Sequence, residues 1–117
     1  MNALVRPITW LFGIVFILIG IIGYMSNPIL GIFAVNNLHN IVHLASGLVA
    51  LYCASKGFGV SRMYLIVFGL VYAVVTVAGF LGLEPILSML ELNSADNYLH
   101  LVIAAVALVV GFGSKKM

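Results

Sequence analysis

The chain has 117 residues, of which 64% are apolar and 7% are charged, and its formal net charge is +2. Its mean hydropathy of +1.26 exceeds that of soluble domains, which excludes a water-soluble globule. The scarcity of charge also excludes a disordered chain and a surface that binds nucleic acid. The single cysteine, Cys53, excludes an internal disulfide framework. This length allows one domain, so we expect a single membrane domain over residues 1–117.

Four segments are long and apolar enough to cross a bilayer, which takes about 20 helical residues for a hydrocarbon core of about 30 Å. They cover residues 8–25, 38–55, 63–83 and 97–112. Strands of a membrane barrel would show alternating rather than continuous apolar runs, so this alternative is not supported. The sequence therefore predicts an all-α integral membrane protein with four transmembrane helices.

The charged residues separate by sign between the two sides of these spans. Five basic residues fall on one side: Arg6, Lys56, Arg62, Lys115 and Lys116. Three acidic residues fall on the other: Glu84, Glu91 and Asp96. Because basic residues cluster at the cytoplasmic ends of spans, we expect a multi-pass protein with its N- and C-termini in the cytoplasm.

The chain contains two similar halves, residues 6–57 and residues 62–113. Matched positions include Arg6 with Arg62, Pro28 with Pro85, Asn36 with Asn93, Asn40 with Asn97, and His43 with His100. Chance similarity is common between apolar segments but much rarer at Arg, Pro, Asn and His. Each repeat contains two spans, so both copies enter the membrane in the same direction. We therefore expect an antiparallel four-helix bundle with a pseudo-two-fold axis along the membrane normal.

Polar residues line one face of the second and fourth helices, since a helix turns about 100° per residue. They are Asn36, His39, Asn40 and His43 on the second helix, and Asn93, Asp96, Asn97 and His100 on the fourth. Asn36 and Asn93 are candidate helix N-caps. Small residues such as Gly47 and Ala50 continue the stripe and allow helices to approach closely in lipid. The second and fourth helices are therefore expected to meet.

The ionisable members of this stripe have several interpretations. As a metal site, the stripe would supply three imidazole nitrogens and one carboxylate to Zn, Cu or Fe. These ligands would come from His39, His43, His100 and Asp96. A haem between His43 and His100 is a less favoured variant, because no roomy aromatic pocket is evident. The sequence favours a hydrogen-bonded polar network that includes four asparagines, since i, i+4 pairs recur by chance. Proton or substrate handling is a third interpretation. The network asparagines are Asn36, Asn40, Asn93 and Asn97.

The two outer loops, residues 26–37 and 84–95, are unusually apolar. A short interfacial helix or re-entrant turn that covers the polar cluster would account for this composition. A loop packed on the rim of the bundle accounts for it equally well.

The patterns Asn-x-x-His-Asn-x-x-His at residues 36–43 and Asn-x-x-Asp-Asn-x-x-His at residues 93–100 point to a known family. With their apolar outer loops they resemble the bacterial membrane-protein family catalogued as domain of unknown function 4383. The resemblance extends over residues 6–113. It implies four spans in a bacterial cytoplasmic (inner) membrane, and it implies no particular activity.

The sequence contains none of the short motifs of P-loop, serine-hydrolase, zincin or thiol-redox enzymes. We therefore expect a non-enzymatic accessory or structural subunit that packs in the lipid bilayer, as a homo-oligomer or within a larger membrane complex. The alternatives are a metal- or haem-dependent membrane enzyme or redox protein, and a small oligomeric transporter.

Overall fold

A computed structural model describes residues 1–26, 31 and 35–115 of the chain. These residues form five helices and no strand. The helices are α1 (Asn2–Met25), α2 (Asn37–Lys56), α3 (Phe58–Leu81), α4 (Ile86–Leu90) and α5 (Ser94–Gly113). All except α4 are long and apolar enough to cross a membrane, as the sequence predicts. They indicate a lipid-bilayer environment for the protein.

Helix α1 packs along α2, and α3 packs along α5, so that each pair forms an antiparallel hairpin. Glycines make this close packing possible. A Cβ atom at Gly13 would lie 2.5 Å from Leu51 Cδ2, and one at Gly69 would lie 2.8 Å from Leu108 Cδ2. Without a hydrophobic effect between helices in lipid, such close backbone approach supplies the packing energy.

The expected meeting of the second and fourth spans, now α2 and α5, does not take the form of close backbone packing. No Cα atom of α2 lies within 8 Å of a Cα atom of α5 among the described residues, and α3 contacts α2 and α1 instead. The small residues work within each hairpin: Gly47 lies against Ile17 of α1, and Gly111 lies against Ile66 of α3. Larger buried side chains fill the space between α2 and α5.

Two apolar clusters form the interior of the bundle. One contains Val5, Ala50, Tyr64, Leu65, Ala107 and Val110, and the other contains Phe16, Tyr72 and Ala104. In the second cluster the rings of Phe16 and Tyr72 stack with centroids 5.2 Å apart. The Tyr72 hydroxyl lies 3.1 Å from Ser46 Oγ, which joins α3 to α2 just beside the polar stripe.

Arginine contacts at one end of the bundle bring the chain termini close to the α2–α3 junction. Arg6 Nε donates a 3.0 Å hydrogen bond to the Ala54 carbonyl at the end of α2. Arg62 Nε donates a 3.0 Å bond to Ser114 Oγ at the end of α5. The polar stripe lies at the opposite end, where α2 and α5 begin.

Candidate metal centre

Both helices that carry the polar stripe begin with an asparagine cap, as the sequence predicts. Asn36 Oδ1 accepts a 2.8 Å hydrogen bond from the backbone N–H of His39, and Asn93 Oδ1 accepts a 2.8 Å bond from that of Asp96. These bonds satisfy backbone donors that have no partner within the helix. They fix the first turn of α2 and α5, and so they fix the direction in which the side chains one turn later project.

Asn40 and Asn97 pack each stripe helix against its hairpin partner. A Cβ atom at Gly23 would collide with the Asn40 side-chain oxygen, and one at Gly79 would collide with that of Asn97. Both asparagine oxygens are buried and have no hydrogen-bond partner among the described residues. The absence of a side chain at Gly23 of α1 therefore leaves room for Asn40, and its absence at Gly79 of α3 leaves room for Asn97.

All three histidines of the chain come together at the end of the bundle where α2 and α5 begin. Ring centroids are 4.5 Å apart for His39 and His43, 5.5 Å for His39 and His100, and 6.0 Å for His43 and His100. One candidate ligand atom from each ring lies within 4.8 Å of the other two. No ring is more than 2% exposed. The protein itself therefore surrounds this group.

Hydrogen bonding leaves most of the imidazole nitrogens free. His39 Nδ1 lies 3.0 Å from the Leu90 carbonyl oxygen. Since a carbonyl only accepts, Nδ1 carries a proton, and Nε2 of the neutral ring keeps its lone pair. That Nε2 and both ring nitrogens of His43 and His100 are buried without a partner among the described residues. An unpaired buried polar group costs about 1–3 kcal/mol, so a ligand of these nitrogens would stabilise the fold.

The carboxylate oxygens of Asp96 are not among the candidate ligand atoms that cluster with the histidine nitrogens. Its Oδ2 accepts a 3.1 Å hydrogen bond from the Asn93 backbone N–H, which completes a capping box with the Asn93 side chain. The Asn-x-x-Asp spacing of residues 93–96 could have predicted this arrangement, because it matches the sequence pattern of a reciprocal cap. His39 holds the equivalent position on α2, and its side chain instead reaches the Leu90 carbonyl.

The second outer loop covers the outer end of the histidine group, in agreement with the covering helix considered from the sequence. Its helix α4 ends at Leu90, whose carbonyl contacts His39, and Asn36 Nδ2 donates a 2.8 Å bond to the Met89 carbonyl. The corresponding expectation for the first outer loop concerns residues 27–30 and 32–34, which lie outside the described residues.

Three site residues were missed by sequence reasoning: Phe16, Ser46 and Tyr72. Phe16 stacks on His43 at 5.8 Å, and Tyr72 lies 5.5 Å from the ring of His100. The sequence feature that could have pointed to these residues is Tyr72. It is a polar aromatic residue in the middle of an apolar span, where its hydroxyl needs a hydrogen-bond partner. Together these side chains form the inner wall of the histidine group.

A cavity of about 220 Å³ adjoins the histidines between α2 and α3. All three histidines line it, together with Ser46 and Tyr72. Its remaining walls are apolar and include Phe68 and several valines of both helices. The histidine group is therefore covered by Leu90 and also adjoins an apolar space, which Leu90 helps to line.

Comparisons with known proteins give a family and nothing further. No curated protein and no solved structure gives a significant match to the chain. The family model described as Domain of unknown function (DUF4383) matches residues 6–113, which is nearly the whole chain and includes every residue of the histidine group. The chain therefore belongs to the DUF4383 family.

Proposed function

We propose that this protein is a small accessory subunit of a bacterial inner membrane that holds one transition-metal ion between His39, His43 and His100. One observation carries the proposal: three buried imidazoles whose ligand atoms lie within 4.8 Å of one another leave five ring nitrogens without a partner. Ionisable side chains in a membrane segment are costly and usually functional. A metal ion is the ligand that would use several of these nitrogens at once.

The chemistry of the three ligands fits Zn, Cu or Fe, each of which binds imidazole well. The Leu90 carbonyl supports this assignment, since fixing the Nδ1 proton of His39 presents Nε2 as a ligand. A tetrahedral Zn site with bonds of about 2.0 Å needs nitrogens about 3.3 Å apart, so binding requires small side-chain rotations. Three protein ligands leave a fourth coordination position for water or another molecule.

A haem fits this site less well. Two axial histidines must face each other across the whole macrocycle, but the space beside His43 and His100 is taken by other rings. His39 lies 4.5 Å from His43, and Tyr72 lies 5.5 Å from His100. A single ion needs far less space than a macrocycle and would lie between the three rings after the small rotations described above.

We also propose that the bundle arose from the two repeats, residues 6–57 and 62–113, and that a pseudo-two-fold axis along the membrane normal relates them. Contacts between equivalent residues support this symmetry, since such residues meet only near an axis. His43 lies beside its counterpart His100, and Phe16 stacks on its counterpart Tyr72. The asparagine caps and the Asn–Gly contacts also occur once in each hairpin.

The proposed orientation places both termini in the cytoplasm and the histidine group in the outward half of the membrane. The positive-inside rule supports it, because Arg6, Lys56 and Arg62 all lie at the end of the bundle opposite to the histidines. Within this orientation, a homo-oligomer or a larger membrane complex would be the setting of an accessory subunit.

A metal-dependent enzyme or redox protein is the second candidate. The observation that favours it is the cavity beside the histidines, which would give a small molecule access to the open coordination position. The two candidates share the metal centre and differ in what the fourth position contacts.

Elemental analysis tests the metal centre directly. The protein is purified with a tag that contains no histidine and without chelators, and its metal content per chain is measured. We expect about one equivalent of one transition metal, and an equal loss of it in His43→Ala and His100→Ala. Asp96→Asn is the matched control, since Asp96 lies outside the ligand group. Metal-free protein, or unchanged metal in both histidine variants, would overturn the proposal.

A further inference from the structure

Two grooves lie side by side along the first turns of α3, at the end of the bundle opposite to the histidines. One has a volume of about 500 Å³ and lies between α2 and α3. The other has a volume of about 350 Å³. Both are lined by Gly59, Met63 and Val67, which follow one another at intervals of about one helical turn. These three residues form a row that separates the two grooves.

The two grooves lie on opposite flanks of this row. Val60 and Tyr64 line the first groove and not the second, whereas Arg62 and Ile66 line the second and not the first. Because a helix turns about 100° per residue, these two pairs project to either side of Met63. The Met63 side chain is 66% exposed, so the row faces the surroundings of the bundle. In a membrane both grooves are therefore open to lipid.

The walls of both grooves suit hydrocarbon chains. Valines and Phe68 line the first groove, and Phe58 and Ile66 line the second. The hydroxyl of Tyr64 already donates a 3.0 Å hydrogen bond to the Ser46 carbonyl, so it needs no further partner in the first groove. An apolar cavity of about 150 Å³ holds a benzene molecule, and each groove is larger than that. Each groove therefore has room for a segment of one acyl chain.

A basic residue lies beside the cytoplasmic end of each groove. Lys56 follows Val49 and Cys53 on α2 at helical spacing, so it lies on the face of α2 that lines the first groove. Its ammonium group lies over the exposed Tyr52 ring, 5.3 Å from the centroid. Arg62 lines the second groove, and its Nε donates to the uncharged Ser114 Oγ.

The protein supplies no aspartate or glutamate that could neutralise these two cations. All three acidic residues of the chain fall within residues 84–96, at the opposite end of the bundle. Basic groups beside a gap between membrane helices attract anionic lipid headgroups. Acyl chains in the bilayer are as apolar as the groove walls, so the chains fix the position of a lipid and the headgroup charge selects it.

We propose that one anionic phospholipid binds at the start of α3, with one acyl chain in each groove and its phosphate between Lys56 and Arg62. The two chains lie on either side of Met63, and Gly59 leaves space for the glycerol group, since a Cβ atom there would meet nothing within 4 Å. This inference goes beyond the metal centre and does not depend on it, because the site lies at the other end of the bundle.

Two lipids with the same chains and different headgroup charges test the proposal. Delipidated protein in detergent is titrated with dioleoyl phosphatidylglycerol or with dioleoyl phosphatidylcholine, and native mass spectrometry counts the lipids retained per chain. We expect one tightly held phosphatidylglycerol, with phosphatidylcholine at least about tenfold weaker because two cations face its zwitterionic headgroup. Equal retention of the two lipids would overturn the proposal.

A pair of charge variants distinguishes a site from general attraction to a basic surface. Lys56→Gln removes a cation beside the first groove, whereas Lys115→Gln removes one from an exposed residue at the same end that lines neither groove. Affinity for phosphatidylglycerol should fall about fivefold in the first variant and stay unchanged in the second. Equal effects of the two substitutions, or no effect of either, would contradict this site.

A second pair of variants tests the placement of the chains. Met63→Trp puts a large side chain between the two grooves, and Val109→Trp makes a similar change at an exposed position of α5 near the same end of the bundle, outside both grooves. Phosphatidylglycerol binding should weaken at least about fivefold only in Met63→Trp, because the indole takes the space of the chains. Unchanged binding in Met63→Trp would show that the lipid lies elsewhere.

The results for the lipid and for the metal are separable. A protein that holds metal and does not select phosphatidylglycerol would overturn this inference and leave the proposed function in place. Selective lipid binding by a protein that never holds metal would support the inference and overturn the metal centre.

Discussion

His43 and His100 lie on helices whose described Cα atoms stay more than 8 Å apart, and yet the centroids of their rings are 6.0 Å apart. The two side chains thus bridge a gap that the backbones leave open. Phe16 and Tyr72 fill the adjoining part of the interior, where they stack on each other. The separation of α2 and α5 is what gives these buried side chains their space.

Substitution of the glycines that contact the asparagines should destabilise the fold. Gly23→Ala and Gly79→Ala each force a Cβ atom onto a buried asparagine side chain, so we expect a loss of about 1–3 kcal/mol in each variant. The free energy of unfolding in detergent is the measurement. Gly59→Ala is the control, because its added Cβ atom meets nothing within 4 Å. Equal stability of all three variants would contradict the described packing of Asn40 and Asn97.

The capping box of α5 gives a second prediction. Asn93→Ala removes the side chain that caps the backbone N–H of Asp96 and should cost about 1 kcal/mol of stability. Its metal content should stay unchanged, because the substitution removes no ligand. Thermal unfolding and elemental analysis of the same preparation check both parts. Loss of metal from a protein that is still folded would instead show that the first turn of α5 supplies a ligand.

The contact between Tyr72 and Ser46 predicts that the two hydroxyl groups contribute jointly, by a modest amount, to the stability of the fold. Tyr72→Phe keeps the stacking on Phe16 and removes only the hydroxyl, so we expect a loss of about 0.5–1.5 kcal/mol. Tyr72→Ala also removes the ring and should cost about 3–5 kcal/mol. A double-mutant cycle with Ser46→Ala measures the coupling between the two hydroxyls. Additive effects of Tyr72→Phe and Ser46→Ala would contradict a direct hydrogen bond.

Metal binding should also stabilise the covering helix α4. The Leu90 carbonyl contacts His39 Nδ1, so a metal ion bound to the other nitrogen of that ring would restrain both residues. We expect hydrogen exchange of the Met89 and Leu92 amides to slow when metal is added. The same addition to His39→Ala should have no such effect. Slowing that persists in this variant would mean that the ion acts on the loop by another route.

Periodicity and local patterns predicted much of this fold. The four spans follow from uninterrupted apolar length, and both caps follow from an asparagine placed just before each stripe helix. The contacts of α2 and α5 did not follow, because small residues allow close packing without specifying the partner helix. Gly47 and Gly111 instead pack within their own hairpins, against α1 and α3 respectively.

The candidate site was predicted less completely than the fold. Helical spacing places His39, Asp96 and the other polar residues on one face, but it does not say which way a side chain in the first turn bends. Asp96 bends back to its own cap, and His39 reaches the covering loop. Tyr72 and Ser46 belong to the site through contacts between α3 and α2, which no spacing within one helix reveals.

The most direct test of the metal centre is X-ray absorption spectroscopy of the purified protein loaded with one equivalent of Zn²⁺. We expect a nitrogen-rich shell at about 2.0–2.1 Å, with the multiple-scattering signature of three imidazole rings. In His100→Ala the signature should fall to two rings. A shell of oxygen ligands without imidazole scattering, or a spectrum unchanged by His100→Ala, would contradict a three-histidine centre.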